Sequence, residues 1–352
     1  MRRRDFVTAA GAAGLALWTR GLFEGAAAAS HSAIPFGAAV SDGPLQTDAA
    51  YQKALIEHCQ LLVGEGGLKW ADLRPSPSQY VYDQPDRLIA FAEANGMKMR
   101  GHTLAWYAAM PDWALQLKGE TETSRELMTH IETVVGRYKG RIPSWDVVNE
   151  ALSDDGPRVG LRDSVWSANL GEYYIDLAFH TARAADPAAQ LVINDYGLEA
   201  ATAKSSARRR AMLDLLRRLR DRDVPVQALG FQAHLPGNEE IDKDEVSRFV
   251  SDVKDMGLDV LVTELDVIDD QLPADIKERD AIAAKRVGAL LGAILDVTRP
   301  TAVVTWGITD RYTWVPIWYK RADGQANRPL PLDEDYREKP MMRTIKQAIA
   351  GA

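Results

Sequence analysis

Two glutamates end short apolar runs far apart in the chain: Trp145-Asp146-Val147-Val148-Asn149-Glu150 and Leu261-Val262-Thr263-Glu264. Paired carboxylates are what cleavage of a glycosidic bond needs. One protonates the departing oxygen, and the other meets the developing oxocarbenium ion. Other chemically capable residues sit at the ends of similar runs: Lys69-Trp70, His102, Asn194-Asp195-Tyr196, Gln232-Ala233-His234, Asp266 two places after Glu264, and Trp306. Trp106, Trp306 and Trp314 offer an apolar plane and one N–H donor each, which suits stacking on a sugar face. Any one of these has a structural explanation, as an ion-pair partner or a core tryptophan. Seven consecutive runs ending this way point to a site.

Two other chemistries compete. His102 and His234 could join Glu264 or Asp266 around zinc, but no His-x-His or His-Glu-x-x-His pattern is present among the six histidines. No metal and no cofactor is therefore expected. A serine nucleophile has no Gly-x-Ser-x-Gly elbow to carry it.

The elements that must position these residues follow from the periodicity. Strands are expected at about 35–40, 66–69, 97–102, 144–149, 190–194, 228–233, 259–264 and 302–306. Helices are expected at about 48–62, 85–95, 122–138, 172–185, 205–222, 241–256, 279–297 and 339–350. Asn95-Gly96 and Asp186-Pro187 supply helix stop signals. The helix at 205–222 carries Leu213, Leu216 and Leu219 among seven arginines (Arg208, Arg209, Arg210, Arg217, Arg218, Arg220, Arg222) and reads as an apolar stripe with a solvated basic face. Alternating strands and helices imply parallel strands with right-handed crossovers. Eight units, with no Gly-x-Gly-x-x-Gly turn after the first strand, favour a single-domain (β/α)8 TIM barrel of the α/β class over an open sheet. In such a barrel, functional residues gather at the C-terminal strand ends.

The bulk numbers agree. A chain of 352 residues with 46% hydrophobic and 26% charged residues is globular in composition, and a formal charge of −8 argues against a nucleic-acid partner. The single cysteine, Cys59, excludes an intrachain disulfide and reads as a small buried side chain. Residues 1–29 stand apart: Arg2-Arg3-Arg4-Asp5-Phe6-Val7, a weakly apolar stretch, then an Ala-rich tract at 26–29 that offers a cleavage site. This matches a twin-arginine-type signal and an exported, periplasmic or secreted protein, leaving residues 34–352 as the barrel. No membrane association is expected once the signal is removed, and a monomer is expected.

With these residues in view, the chain from Phe36 onward resembles glycoside hydrolase family 10, the retaining endo-β-1,4-xylanases. The segments that carry the resemblance are Leu68-Lys69-Trp70, Arg100-Gly101-His102-Thr103-Leu104-Ala105-Trp106, Pro111-Asp112-Trp113, Trp145 to Glu150, Asn194-Asp195-Tyr196, Gln232-Ala233-His234-Leu235, Thr263-Glu264-Leu265-Asp266 and Trp306-Gly307-Ile308-Thr309-Asp310 with Trp314. The resemblance implies that Glu150 is the acid/base and Glu264 the nucleophile, with carboxyls about 5–5.5 Å apart. It further implies that His234 and Asp266 hold Glu264 and that Asn149 bonds the 2-hydroxyl of the sugar being cleaved. Glu65, Lys69, His102, Trp106, Tyr107 and Gln232 would line the substrate's path, and Trp306 and Trp314 would cover the sugar on the non-reducing side.

Three positions depart from the family pattern. Gly66 replaces an asparagine that grips the second sugar, Tyr107 follows Trp106 where histidine is common, and Gly197 replaces the last asparagine of Asn-Asp-Tyr-Asn. Three functions follow in order: an endo-xylanase acting on a β-linked polysaccharide; a hydrolase of the same barrel with its substrate shifted to substituted xylan or xylooligosaccharides; and an exported sugar-binding protein without catalysis.

Overall fold

The apolar runs are short and lack polar alternation, so the main strands are buried on both faces, as parallel strands covered by helices must be. The computed structural model describes residues 34–154 and 159–351; the expected signal at 1–29 lies outside the described residues. Nine strands are present among the described residues: β1 Phe36–Val40, β2 Leu61–Gly64, β3 Lys98–Ala105, β4 Ser144–Asn149, β5 Gln190–Asp195, β6 Ala228–Phe231, β7 His234–Pro236, β8 Asp259–Ile268 and β9 Val303–Thr305. All pairings among them are parallel, and the ring closes through β6 with β8 and β9 with β1. The result is an eight-stranded barrel. Its sixth stave is broken into β6 and β7 at Gln232-Ala233, where Ala233 takes φ +61°.

Helices at Ala49–His58, Asp83–Ala94, Glu120–Arg137, Tyr173–Ala185, Ala203–Asp221, Lys243–Asp255, Ile276–Leu295 and Pro340–Ala350 form the outer layer. Several are started by their own caps. Asp48, Thr202, Asp242 and Asp275 each accept a hydrogen bond from a first-turn N–H, removing orphan donors. No helix among the described residues is long and apolar enough to cross a membrane.

Two expectations need correction. The second strand lies at Leu61–Gly64, not 66–69, and the preceding helix stops at His58 rather than 62. Leu61-Leu62-Val63 is buried on both faces and so shows no alternation, and no glycine or proline marks the helix end before Cys59. Consequently Lys69-Trp70 does not end a strand: Trp70 is a core residue whose indole donates to the Leu104 carbonyl at 2.7 Å. The arginine-rich helix Ala203–Asp221 also differs from the expected fully solvated basic face. Its leucines are buried as expected, but Arg208 and Arg209 are buried too, while Arg217, Arg218, Arg220 and Arg222 face solvent. Cys59 is free and buried.

Packing between β3 and β4 fixes the floor of the site. The Trp145 ring lies flat over Gly101, where an added Cβ would fall 2.0 Å from the indole. Only glycine allows this approach, and it holds His102 in register with Asp146 on the neighbouring strand.

Candidate active site

The strand ends open into a cleft of about 850 Å³ that contains both candidate carboxylates. Lys69, His102, Trp106, Tyr107, Asn149, Gln232, His234, Trp306 and Trp314 line it with them. Asp266 lies behind His234 and Glu65 lies outside the lining. Glu65 follows the end of β2 directly, and its carboxylate accepts from Ser41 Oγ at 2.5 Å instead of facing the cleft.

Glu264 sits inside β8, which runs on to Ile268, so Glu264 and Asp266 project to the same side by the period of a strand. Between Val262 and Leu265 the register against β9 slips, which re-aims Glu264. Its Oε1 accepts from Asn194 Nδ2 at 2.7 Å and its Oε2 meets His234 Nε2 at 3.2 Å. His234 Nδ1 meets Asp266 Oδ1 at 2.9 Å, and Asp266 Oδ2 takes the Trp314 indole N–H at 2.7 Å. Burial alone would lower the His234 pKa. The Asp266 charge and hydrogen bonds to both carboxylates outweigh it and hold the ring protonated, well above the ordinary histidine value. Burial likewise pushes Glu264 up, but the His234 hydrogen bond and the charges on His102 and His234 prevail, keeping it below its usual range. Glu264 is therefore ionised at neutral pH.

Glu150 follows β4 and takes φ +57°, a strained conformation for a residue with a side chain. Two hydrogen bonds hold it there: its N–H donates to the Asn194 carbonyl at 2.8 Å, and its carbonyl accepts from Arg162 Nε at 3.0 Å. The turn of its backbone brings the carboxylate into the cleft, where Oε1 accepts from Gln232 Nε2 at 3.0 Å and Asn149 Nδ2 at 3.2 Å.

Asn194, at the end of β5, links the two acids. Its Nδ2 donates both to Glu264 and to Asn149 Oδ1 at 2.8 Å, and its Oδ1 accepts from Thr263 at 2.6 Å. Behind Glu150, Asp195 is fully buried against Arg208 at 2.6 Å. Burial pushes its carboxyl up to about 7, with Arg208 pulling against the rise and the Glu150 charge adding to it. Within the cleft lining, the Lys69 ammonium lies 4.9 Å from the Trp106 ring centre and 5.6 Å from that of Trp306. Tyr107 is 38% exposed and rests against the Arg162 guanidinium at 4.4 Å. It is part of the wall and leaves the cleft open. Gly197 also lines the cleft, at φ +69°, and a Cβ there would press on Arg208 at 3.1 Å.

A metal is poorly served here. His102 Nδ1 and carboxylate oxygens of Asp146 and Glu264 lie within 4.8 Å of one another. Asp146, however, is already paired with Arg100 at 2.6 Å and bonded to His102 at 3.0 Å, so a cation would face a buried guanidinium. The second pair in that scheme, His234 and Asp266, is bonded to itself.

Several members of this network have no assigned role in the sequence reading: Asn194, Asp146, Arg162 and Arg208, together with Glu199, whose buried carboxylate accepts the Ala233 N–H at 3.0 Å and steadies the break between β6 and β7. Asn194 and Asp146 stand inside the quoted motifs, which is the only signal that could have singled them out.

The family model for Glycosyl hydrolase family 10 matches residues 25–348. The chain belongs to glycosyl hydrolase family 10. Within that family it is 33% identical to endo-1,4-beta-xylanase 1 of Humicola insolens, over 90% of this chain and 71% of that protein. The crystal structure of native xylanase 10B from Thermotoga maritima superposes with a TM-score of 0.81 at 33% identity, covering 90% of this chain and 95% of that one. The Thermotoga petrophila xylanase 10B solved in complex with xylobiose gives 0.80 at 31% identity, covering 90% and 94%.

Proposed function

We propose that this family 10 hydrolase is an endo-acting β-1,4-xylanase that works by double displacement, with Glu264 as nucleophile and Glu150 as acid/base. One observation carries the assignment. The two carboxylates share a cleft, one held ionised by a protonated histidine, the other on a strained turn with Oε1 held by Gln232 and Asn149, leaving Oε2 to meet a sugar oxygen. Glu264 attacks the anomeric carbon as the C–O bond breaks, and Glu150 gives its proton to the leaving oxygen. Glu150 then takes a proton from water, which attacks the same carbon and releases Glu264 from the ester. Asn149 keeps its second Nδ2 hydrogen for the sugar hydroxyl beside the reacting carbon. Lys69, His102 and Gln232 offer contacts to neighbouring hydroxyls, and Trp106, Trp306 and Trp314 supply apolar faces.

Relatives named as xylanases and a close fold neighbour complexed with xylobiose support xylan as the substrate. The test is reducing-sugar release from xylan beside other β-glycans. Binding of xylooligosaccharides with no release from any of them would instead favour the non-catalytic reading. A shifted or decorated substrate draws support from Tyr107 and Gly197, which alter the cleft wall where the family carries histidine and asparagine. Each hydrogen bond missing there costs about 0.5–1.5 kcal/mol of sugar binding.

Arg162 acts as a positioning residue in this scheme, since it holds the carbonyl of the strained Glu150. Arg162→Met is expected to lower kcat on xylan by up to about 10²-fold, the cost of a misplaced reacting group. Activity on aryl glycosides with good leaving groups should fall much less. Equal losses on both substrates would mean Arg162 matters only for folding. We also propose that residues 1–29 direct export of a monomeric enzyme. Sequencing the N-terminus from a periplasmic or secreted fraction should find residue 30 or thereabouts, and an intact chain confined to the cytoplasm rejects the idea.

A further inference from the structure

Beyond Trp314 the chain makes a four-residue helix, Val315–Trp318, and leaves large apolar side chains facing water: Ile317 at 72% exposure, Trp318 at 76% and Tyr319 at 39%. A scattered exposed leucine means little, but an indole this bare keeps a large apolar plane hydrated. Trp318 and Tyr319 line the same cleft as the two catalytic glutamates. Tyr319, the residue after Trp318, also stands at the end of a row of rings. The Trp306 ring lies 6.3 Å from that of His234, the His234 ring 5.1 Å from Trp314, and the Trp314 ring 5.9 Å from Tyr319. His234 bonds Glu264, so this row connects the nucleophile through Trp314 to Tyr319, which is 39% exposed.

The support beneath Trp318 is firm. Val315 is fully buried, the Tyr319 N–H donates to the Val315 carbonyl at 2.8 Å, and the Tyr319 carbonyl accepts from Asn327 at 3.0 Å. Asn327 is itself tied to buried Asp269 at 2.7 Å. An exposed aromatic on an anchored segment loses little freedom when a ligand stacks on it.

We propose that Trp318, with Tyr319 beside it, forms an additional sugar subsite at the cleft rim, stacking on a xylose unit well removed from the bond being cut. This rests on the xylanase reading of the cleft. Continuity with that cleft identifies the occupant: an uncharged β-1,4-linked chain leaving the site passes this indole. The subsite makes the enzyme favour long chains and adds nothing for short ones.

The test is a chain-length series. In a Glu264→Ala background, Trp318→Ala should weaken xylohexaose binding about three- to tenfold, the scale of one aromatic stacking contact, and leave xylobiose unchanged. Trp318→Phe should keep most of the hexaose affinity. In the otherwise unaltered enzyme, Trp318→Ala should lower kcat/KM on xylohexaose but not on an aryl β-xylobioside. An effect of equal size at both lengths, or none at either, overturns the subsite alone. If the unaltered protein neither binds nor cleaves xylooligosaccharides, the xylanase reading fails and the subsite with it.

Discussion

Glu264→Ala is expected to lower xylan hydrolysis by about 10⁴–10⁶-fold, the scale on which loss of a nucleophile is felt. The side chain is buried and makes its contacts with Asn194 and His234, so truncation removes the attacking oxygen while leaving the rest of the cleft in place. A small anion such as azide or formate should enter the gap and restore part of the activity on an activated aryl glycoside. The product should then have inverted configuration at the anomeric carbon, because the anion attacks from the face Glu264 vacated. A variant retaining a tenth of its activity would end the nucleophile assignment. Reducing-sugar release, with polarimetry or NMR for the anomer, reads both results.

The same group sets the acid side of the pH profile. Activity needs Glu264 ionised, and its pKa is held down, so kcat/KM should persist as pH falls and drop only below the usual glutamate value of about 4.3. His234→Gln removes the imidazolium and leaves burial less opposed, so the acid limb should move to higher pH. An unmoved limb would assign that ionisation to another group.

Glu150→Ala should separate substrates by leaving group. On xylan the departing alkoxide needs a proton, and losing the general acid costs about 10²–10⁴-fold. On a dinitrophenyl glycoside the leaving group needs none, so bond cleavage continues. The second step then lacks its base, the glycosyl-enzyme accumulates, and an initial burst with a lowered KM is expected. Equal losses on xylan and on the aryl substrate would remove Glu150 from the acid/base role. The broken backbone geometry at φ +57° makes a second check available: Glu150→Gln keeps the side-chain volume and contacts with Gln232 and Asn149, so it should show the same substrate split with unchanged folding stability.

Much of this was legible from residue order alone. Seven of eight strands and seven of the eight outer helices lie close to where apolar runs and helix punctuation put them, because those patterns arise from local burial and capping. The one displaced strand, Leu61–Gly64, is buried on both faces and has no alternation to distinguish it from the helix before it. Both glutamates, His234 and Asp266 were recognisable because each follows a short apolar run, a local property of the sequence, although β8 continues past Glu264 to Ile268 and His234 opens β7.

The partners were not. Asn194 bonds Glu264 across 70 positions and Asp146 bonds His102 across 44, distances over which no spacing rule operates. Arg208 and its neighbours look alike in sequence, yet Arg208 is buried because closure of the barrel brings Asp195 to it, whereas Arg217 stays exposed beside Asp214 of its own helix. Chain order thus settled which chemical groups are present and on which strands. Closure of the ring chose their hydrogen-bond partners, and those partners keep Glu264 charged and hold Glu150 on its strained turn.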